Sequence, residues 1–100
     1  MEDKNQCCPI EKTLCIIDGK WTILILRDLF NGTRRFGELR RSLDGISPKT
    51  LSLRLRGLEA QGIVERVIYP EVPPRVEYSL TEKGQSLRGI LDQMRDWGSG

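Results

Sequence analysis

The chain contains no histidine. That removes the side chain best suited to proton transfer near neutral pH and the commonest ligand for zinc and iron, so His-based acid/base catalysis and most metal sites are excluded. Cysteine is scarce too: Cys7, Cys8 and Cys15 are an odd set that cannot all pair within one chain. Three cysteines without histidine do not make a zinc site in a single chain, which leaves only one shared across a dimer. Long apolar runs are missing, the longest being Ile23 to Leu26, far below the ~20 residues that span a bilayer. No membrane partner is expected. The opening Met1-Glu2-Asp3-Lys4 lacks the basic-then-apolar order of a secretory leader, so the expected location is cytoplasmic.

What is present fits one small domain of 100 residues, since domains commonly hold roughly 100 to 150. Hydrophobic residues make up 38% of the chain, enough to argue against disorder. The net charge of +2 conceals an asymmetry. Between Arg34 and Arg56, seven basic residues (Arg34, Arg35, Arg40, Arg41, Lys49, Arg54, Arg56) stand against Glu38 and Asp44, a local charge of +5, and the remainder of the chain is negative. A positive segment on a negative body suits a polyanionic partner, because phosphate contacts supply most sequence-independent affinity for nucleic acid.

Residues 1–7 read as a flexible polar arm, 8–98 as one domain and 99–100 as a tail. Pro9 suits a first helical position, and Ile10, Leu14 and Ile17 follow at helical spacing. A second helix from about Lys20 to Phe30 is apolar on nearly all sides and should be central. Phe36, Leu39 and Leu43 mark a short third helix, and Asp44-Gly45 turns the chain. The strongest start signal follows: Ser47 as cap, Pro48 at the first helical position and Ile46 placed to pack on Leu51. This fourth helix closes at Gly62, and Phe36 to Gln61 reads as helix-turn-helix. Residues 63–69 and 75–80 alternate as two antiparallel strands around the stiff Pro70-Glu71-Val72-Pro73-Pro74 loop. Thr81 then caps one last helix. The fold class is α+β, mainly α: a winged helix-turn-helix with a two-stranded hairpin wing and N- and C-terminal dimerisation helices.

On the fourth helix, Leu51, Leu55 and Leu58 lie within about 60° of one another and define its buried side. Lys49, Leu53 and Arg56 lie opposite, flanked by Thr50, Ser52 and Gly57, with Arg54 nearer the edge. Such a face suits a major groove: arginine and lysine for guanine edges or phosphates, hydroxyls for bases or backbone, leucine for a thymine methyl. Arg34, Arg35, Arg40 and Arg41 are candidates for backbone phosphates. Pro73, Pro74 and Arg75 form the wing, where an arginine on a stiff loop suits a narrow minor groove. The stripe of Leu87, Ile90, Leu91, Met94 and Trp97 is more apolar than a terminal helix on a 100-residue monomer needs. With Ile10, Leu14 and Ile17 it is assigned to a two-fold dimer interface.

The stretches CPIE (8–11), GKW (19–21), TRRFGELRRSLDGIS (33–47), LEAQGIVER (58–66) and YPEVPPRVEYSLTEKG (69–84) resemble the HxlR family of winged-helix transcriptional regulators, relatives of the MarR repressors. The resemblance covers about residues 8–98. It implies a homodimeric regulator without enzymatic activity or cofactor, bound to an inverted-repeat operator in double-stranded DNA. It also implies that Cys8, at the cysteine of the CPxE motif, is a candidate thiol switch for a small electrophile or oxidant. Independently, Cys8 precedes a helix whose positive end, with Lys12 one turn on, attracts an anion. Cys7 is either a bystander or a partner in trans, and Cys15, next to Leu14, is expected to be buried. The alternative for Cys8 is a thiol that senses nothing.

Two other functions compete with this one. A winged-helix module can bind proteins without reading DNA, but that leaves the +5 segment unused. A thiol enzyme using Cys7 or Cys8 lacks a histidine base.

Overall fold

In the computed structural model, which describes residues 8–100, helix α1 (Pro9–Ile17) starts at a cap built by Cys8. The Glu11 N–H donates to Cys8 Sγ at 3.4 Å, and the Cys8 N–H donates to the Glu11 carboxylate at 3.2 Å. Cys7 and the expected arm lie outside the described residues. Asp18 is extended and ends α1, and Gly19 takes a positive φ of 93° as cap of α2 (Lys20–Phe30), a conformation that favours glycine. Ile25, Leu26 and Leu29 of α2 are almost wholly buried, so this helix is the centre of the core.

After the turn at Asn31-Gly32 comes β1 (Arg34–Arg35), which pairs antiparallel with Tyr78 and Glu77. Helix α3 (Phe36–Ser42) and helix α4 (Pro48–Ala60) form the expected helix-turn-helix. Strands β2 (Val64–Tyr69) and β3 (Arg75–Leu80) make the hairpin, with Arg66 opposite Tyr78 and Tyr69 opposite Arg75. The sheet therefore has three strands in the order β1-β3-β2, one more than the sequence suggests. Two residues are too few to show alternation, so β1 is visible only through its pairing.

The last helix is not continuous. It divides into α5 (Glu82–Gln85) and α6 (Arg88–Ser99), separated at Ser86 and Leu87. Thr81 Oγ1 accepts from the Gly84 N–H at 3.1 Å and donates to the Gly62 carbonyl, while Lys83 Nζ donates to the Gln61 carbonyl at 3.2 Å. These bonds fasten α5 to the turn after α4. Gly84 is buried against the carbonyl of Ile63, which occupies the space a Cβ would need. Helix α6 then runs through Gly98 to Ser99, so the first of the two residues expected as a tail is helical.

Two residues assigned to a dimer interface belong to the protomer's own core: Ile17 and Leu87 are 4% and 6% exposed and are members of the same buried cluster as Ile25, Leu51 and Ile63. Leu87 is buried because it sits at the break before α6, where the chain still lies against the core. Cys15 corrects a second expectation: it is exposed. On α1 only Ile17 is buried, so adjacency to Leu14 conferred nothing, since Leu14 is itself exposed.

Candidate nucleic-acid interface

Helix α4 is positioned by its leucines. Leu51, Leu55 and Leu58 are at most 3% exposed, which turns Lys49, Leu53 and Arg56 outward. Leu53 is 55% exposed. Ser47 Oγ accepts from the Thr50 N–H at 3.1 Å and donates to Thr50 Oγ1 at 3.0 Å, so both hydroxyls serve the cap. Pro48 occupies the first turn, where its missing N–H costs nothing.

Arg54 and Arg56 diverge, because two residues on a helix are about 200° apart. Arg54 turns toward the junction of α1 and α2: its guanidinium lies 3.8 Å from where a Cβ on Gly19 would stand, beside a groove of about 200 Å³ shared with Cys15, Asp18 and Leu53. Arg56 turns toward the sheet. There it lines a notch of about 170 Å³ with Ser52, Leu55, Glu59, Arg66 and Tyr78. Arg66 Nε is 3.5 Å from the Glu59 carboxylate. Burial pushes the Tyr78 hydroxyl above its ordinary range; Arg66 and Arg56 pull it down and Glu59 pushes it up, with the net shift upward. The phenol is therefore a proton donor at neutral pH.

The four arginines before α4 also separate. Arg40 and Arg41 are exposed in the last turn of α3, at the end where cations are favoured. Arg34 is half-buried and donates to the Thr33 carbonyl at 3.1 Å. Arg35 is exposed, and its N–H donates to Glu38 Oε1 at 2.8 Å, which starts α3.

The wing departs most from expectation. Arg75 is not a free cationic probe: Nη2 lies 3.1 Å from Glu71, Nε lies 3.6 Å from Glu77, and the guanidinium stacks 4.1 Å from the Tyr69 ring centroid. One arginine between two carboxylates leaves this part of the wing net negative. Its outermost residues are Val72, fully exposed, and Pro73 and Pro74 beside it. Exposed positive charge among the described residues that can meet a polyanion beside α4 therefore lies on Arg35, Arg40, Arg41, Lys49, Arg54, Arg56 and Arg66 rather than at the wing tip.

The HxlR-like helix-turn-helix family model matches residues 16–100. The chain belongs to the HxlR-like helix-turn-helix family. It is 53% identical over 97 residues to the HTH-type transcriptional regulator sll1512 of Synechocystis, covering 97% of this chain and 72% of that one. The solved structure of the redox regulator HypR in its oxidised form superposes with a TM-score of 0.86 at 49% identity, over 92% of this chain and 95% of that one. Diamide-treated YodB from B. subtilis gives 0.80 at 38% identity, over 94% of each chain. The protein is accordingly an HxlR-type transcriptional regulator with a winged-helix fold.

This HxlR-like protein keeps an apolar surface that its own core does not cover. Ile10 and Leu14 of α1 and Ile90, Met94 and Trp97 of α6 are exposed, Trp97 at 87%, and α6 has no buried residue. Leu91 is half-buried, and with Ile23, Phe30 and Met94 it lines an apolar groove of about 300 Å³ between α2 and α6.

Glu59, Arg66 and Tyr78 are not among the residues that the sequence marks for DNA contact. Ser52, Arg56 and Glu59 recur at i, i+4 and i+7, a polar stripe that marks a shared helix face. What that stripe faces was legible only from the strand register.

Proposed function

We propose that this HxlR-type regulator works in the cytoplasm as a homodimer on an inverted-repeat operator, places α4 in the major groove, and is switched by oxidation or alkylation of Cys8. The observation that carries the reading is the exposed face of α4, where Lys49, Leu53 and Arg56 project from a helix anchored by three buried leucines. Arg35, Arg40 and Arg41 flank it as partners for backbone phosphates, with Arg34 at the edge and Arg54 on the opposite flank. Ser47, Pro48, Thr50 and Ser52 set the start of the helix and can approach the backbone. The exposed residues of α1 and α6 supply a self-complementary surface, and two-fold pairing would set the recognition helices about 34 Å apart. Pro73 and Pro74 carry the wing to the neighbouring groove, with Arg75 shaping it.

Support for the switch comes from Cys8, exposed at the start of α1, and from relatives described as a redox regulator in oxidised form and as diamide-treated. Fluorescence anisotropy with operator DNA selected from a random pool tests the reading of α4. Arg56→Ala should weaken binding by roughly 10- to 150-fold, the range for losing a charge-assisted contact worth ~1.5–3 kcal/mol. Parent-like affinity in both Arg56→Ala and Lys49→Ala would mean that another surface reads DNA. A protein-interaction module would instead show flat salt dependence with random duplex.

A further inference from the structure

The notch between α4 and the sheet holds two guanidinium groups, one carboxylate, a serine hydroxyl and a protonated phenol around a space of about 170 Å³. That is below the ~300–1,000 Å³ of sites for drug-sized ligands, so it takes a group of a few atoms. Its donors are positive in sum and include the planar forks that match phosphate oxygens. Arg56 belongs both to the outward face of α4 and to this notch, and Arg66 and Tyr78 are directly opposite each other on the wing strands. If α4 enters a major groove and the wing meets the adjoining minor groove, one strand's backbone runs between them, and the notch lies between α4 and the wing strands.

We infer that Ser52, Arg56, Arg66 and Tyr78 seat one backbone phosphodiester of bound DNA, and that Glu59 holds Arg66 in place until the phosphate replaces it. The inference rests on the reading of α4 as the groove-entering helix. In the free protein the ion pair of Arg66 and Glu59 is half-exposed, at 43% and 38% of the side chains, so exchanging its carboxylate for a phosphate costs little. Phosphodiester contact carries no base information, and the seat therefore fixes the register of α4 without adding sequence preference.

The test is binding to a random duplex across a salt series, with the full chain. Arg66→Gln should lower affinity several-fold and flatten the log–log salt slope by about 0.9, the value for one lost phosphate contact. Arg66→Lys should keep the slope, Tyr78→Phe should weaken binding several-fold, and Glu59→Gln should tighten it. Arg66 is exposed, so far-UV circular dichroism of Arg66→Gln should match the parent. A parent-like slope in Arg66→Gln, beside a steep slope in the parent, overturns the phosphate seat and leaves the DNA reading standing. A flat slope in the parent sinks the DNA reading and the seat with it.

Discussion

The guanidinium of Arg75 lies on the ring of Tyr69, 4.1 Å from its centroid, and is held there by Glu71 at 3.1 Å on the turn of the same hairpin. The cation that looked like a groove probe is an internal brace. It joins the two strand ends across the register pair Tyr69 and Arg75 and shapes the loop between them.

Arg75→Ala should therefore act on the wing's order first. The Arg75 side chain is only 28% exposed in its ion pairs; with ~0–1 kcal/mol for a surface pair as the lower reference and about 0.5–1 kcal/mol for a cation–π contact, a loss of at least about 1 kcal/mol in chemical denaturation is expected. Faster hydrogen exchange at residues 69–75 should accompany it. Unchanged exchange there, with weakened DNA binding, would show that Arg75 reaches DNA directly.

Cys8→Ser separates the cap from the thiol. Serine is a preferred N-cap, so the hydroxyl should continue to accept from the Glu11 N–H and stability should hold within about 0.5 kcal/mol. Diamide or a quinone should change operator binding by the parent and leave Cys8→Ser unaffected. The same response in both proteins would transfer the switch to another residue.

Met94→Glu probes the uncovered face of α6. Met94 is exposed in the protomer, so helix content should match the parent, whereas burying an unpaired carboxylate in a dimer interface is strongly unfavourable. Analytical ultracentrifugation should show a dimeric parent and a monomeric variant. A variant that dimerises as the parent does would place the interface elsewhere.

Gly84→Ala tests the attachment of α5. The added methyl would press on the Ile63 carbonyl and on Leu80, at 3.0 Å from its Cδ2. Overpacking of this kind typically costs about 1–3 kcal/mol. Thermal unfolding should show a clear fall in Tm, and a Tm equal to the parent's would mean that the turn after α4 yields easily.

Local signals carried much of this architecture. Ser47 followed by Pro48 starts α4, and Leu51, Leu55 and Leu58 choose its buried side. Both are readable from the chain because a cap acts within one turn and a helix face repeats every 3.6 residues. The same holds for the hairpin, whose alternating strands flank a segment too rich in proline to extend a ladder. Properties that depend on partners distant in sequence were not readable in this way. Arg75 looks free until Tyr69, Glu71 and Glu77 surround it, and Arg54 and Arg56 look alike until one meets the junction at Gly19 and the other the sheet. Ile17 and Leu87 share stripes with exposed neighbours, yet the helix ends on which they sit turn into the core. The notch that joins Arg56 to Arg66 and Tyr78 exists only through the packing of α4 on the sheet. Periodicity names the face of an element, and packing decides what that face meets.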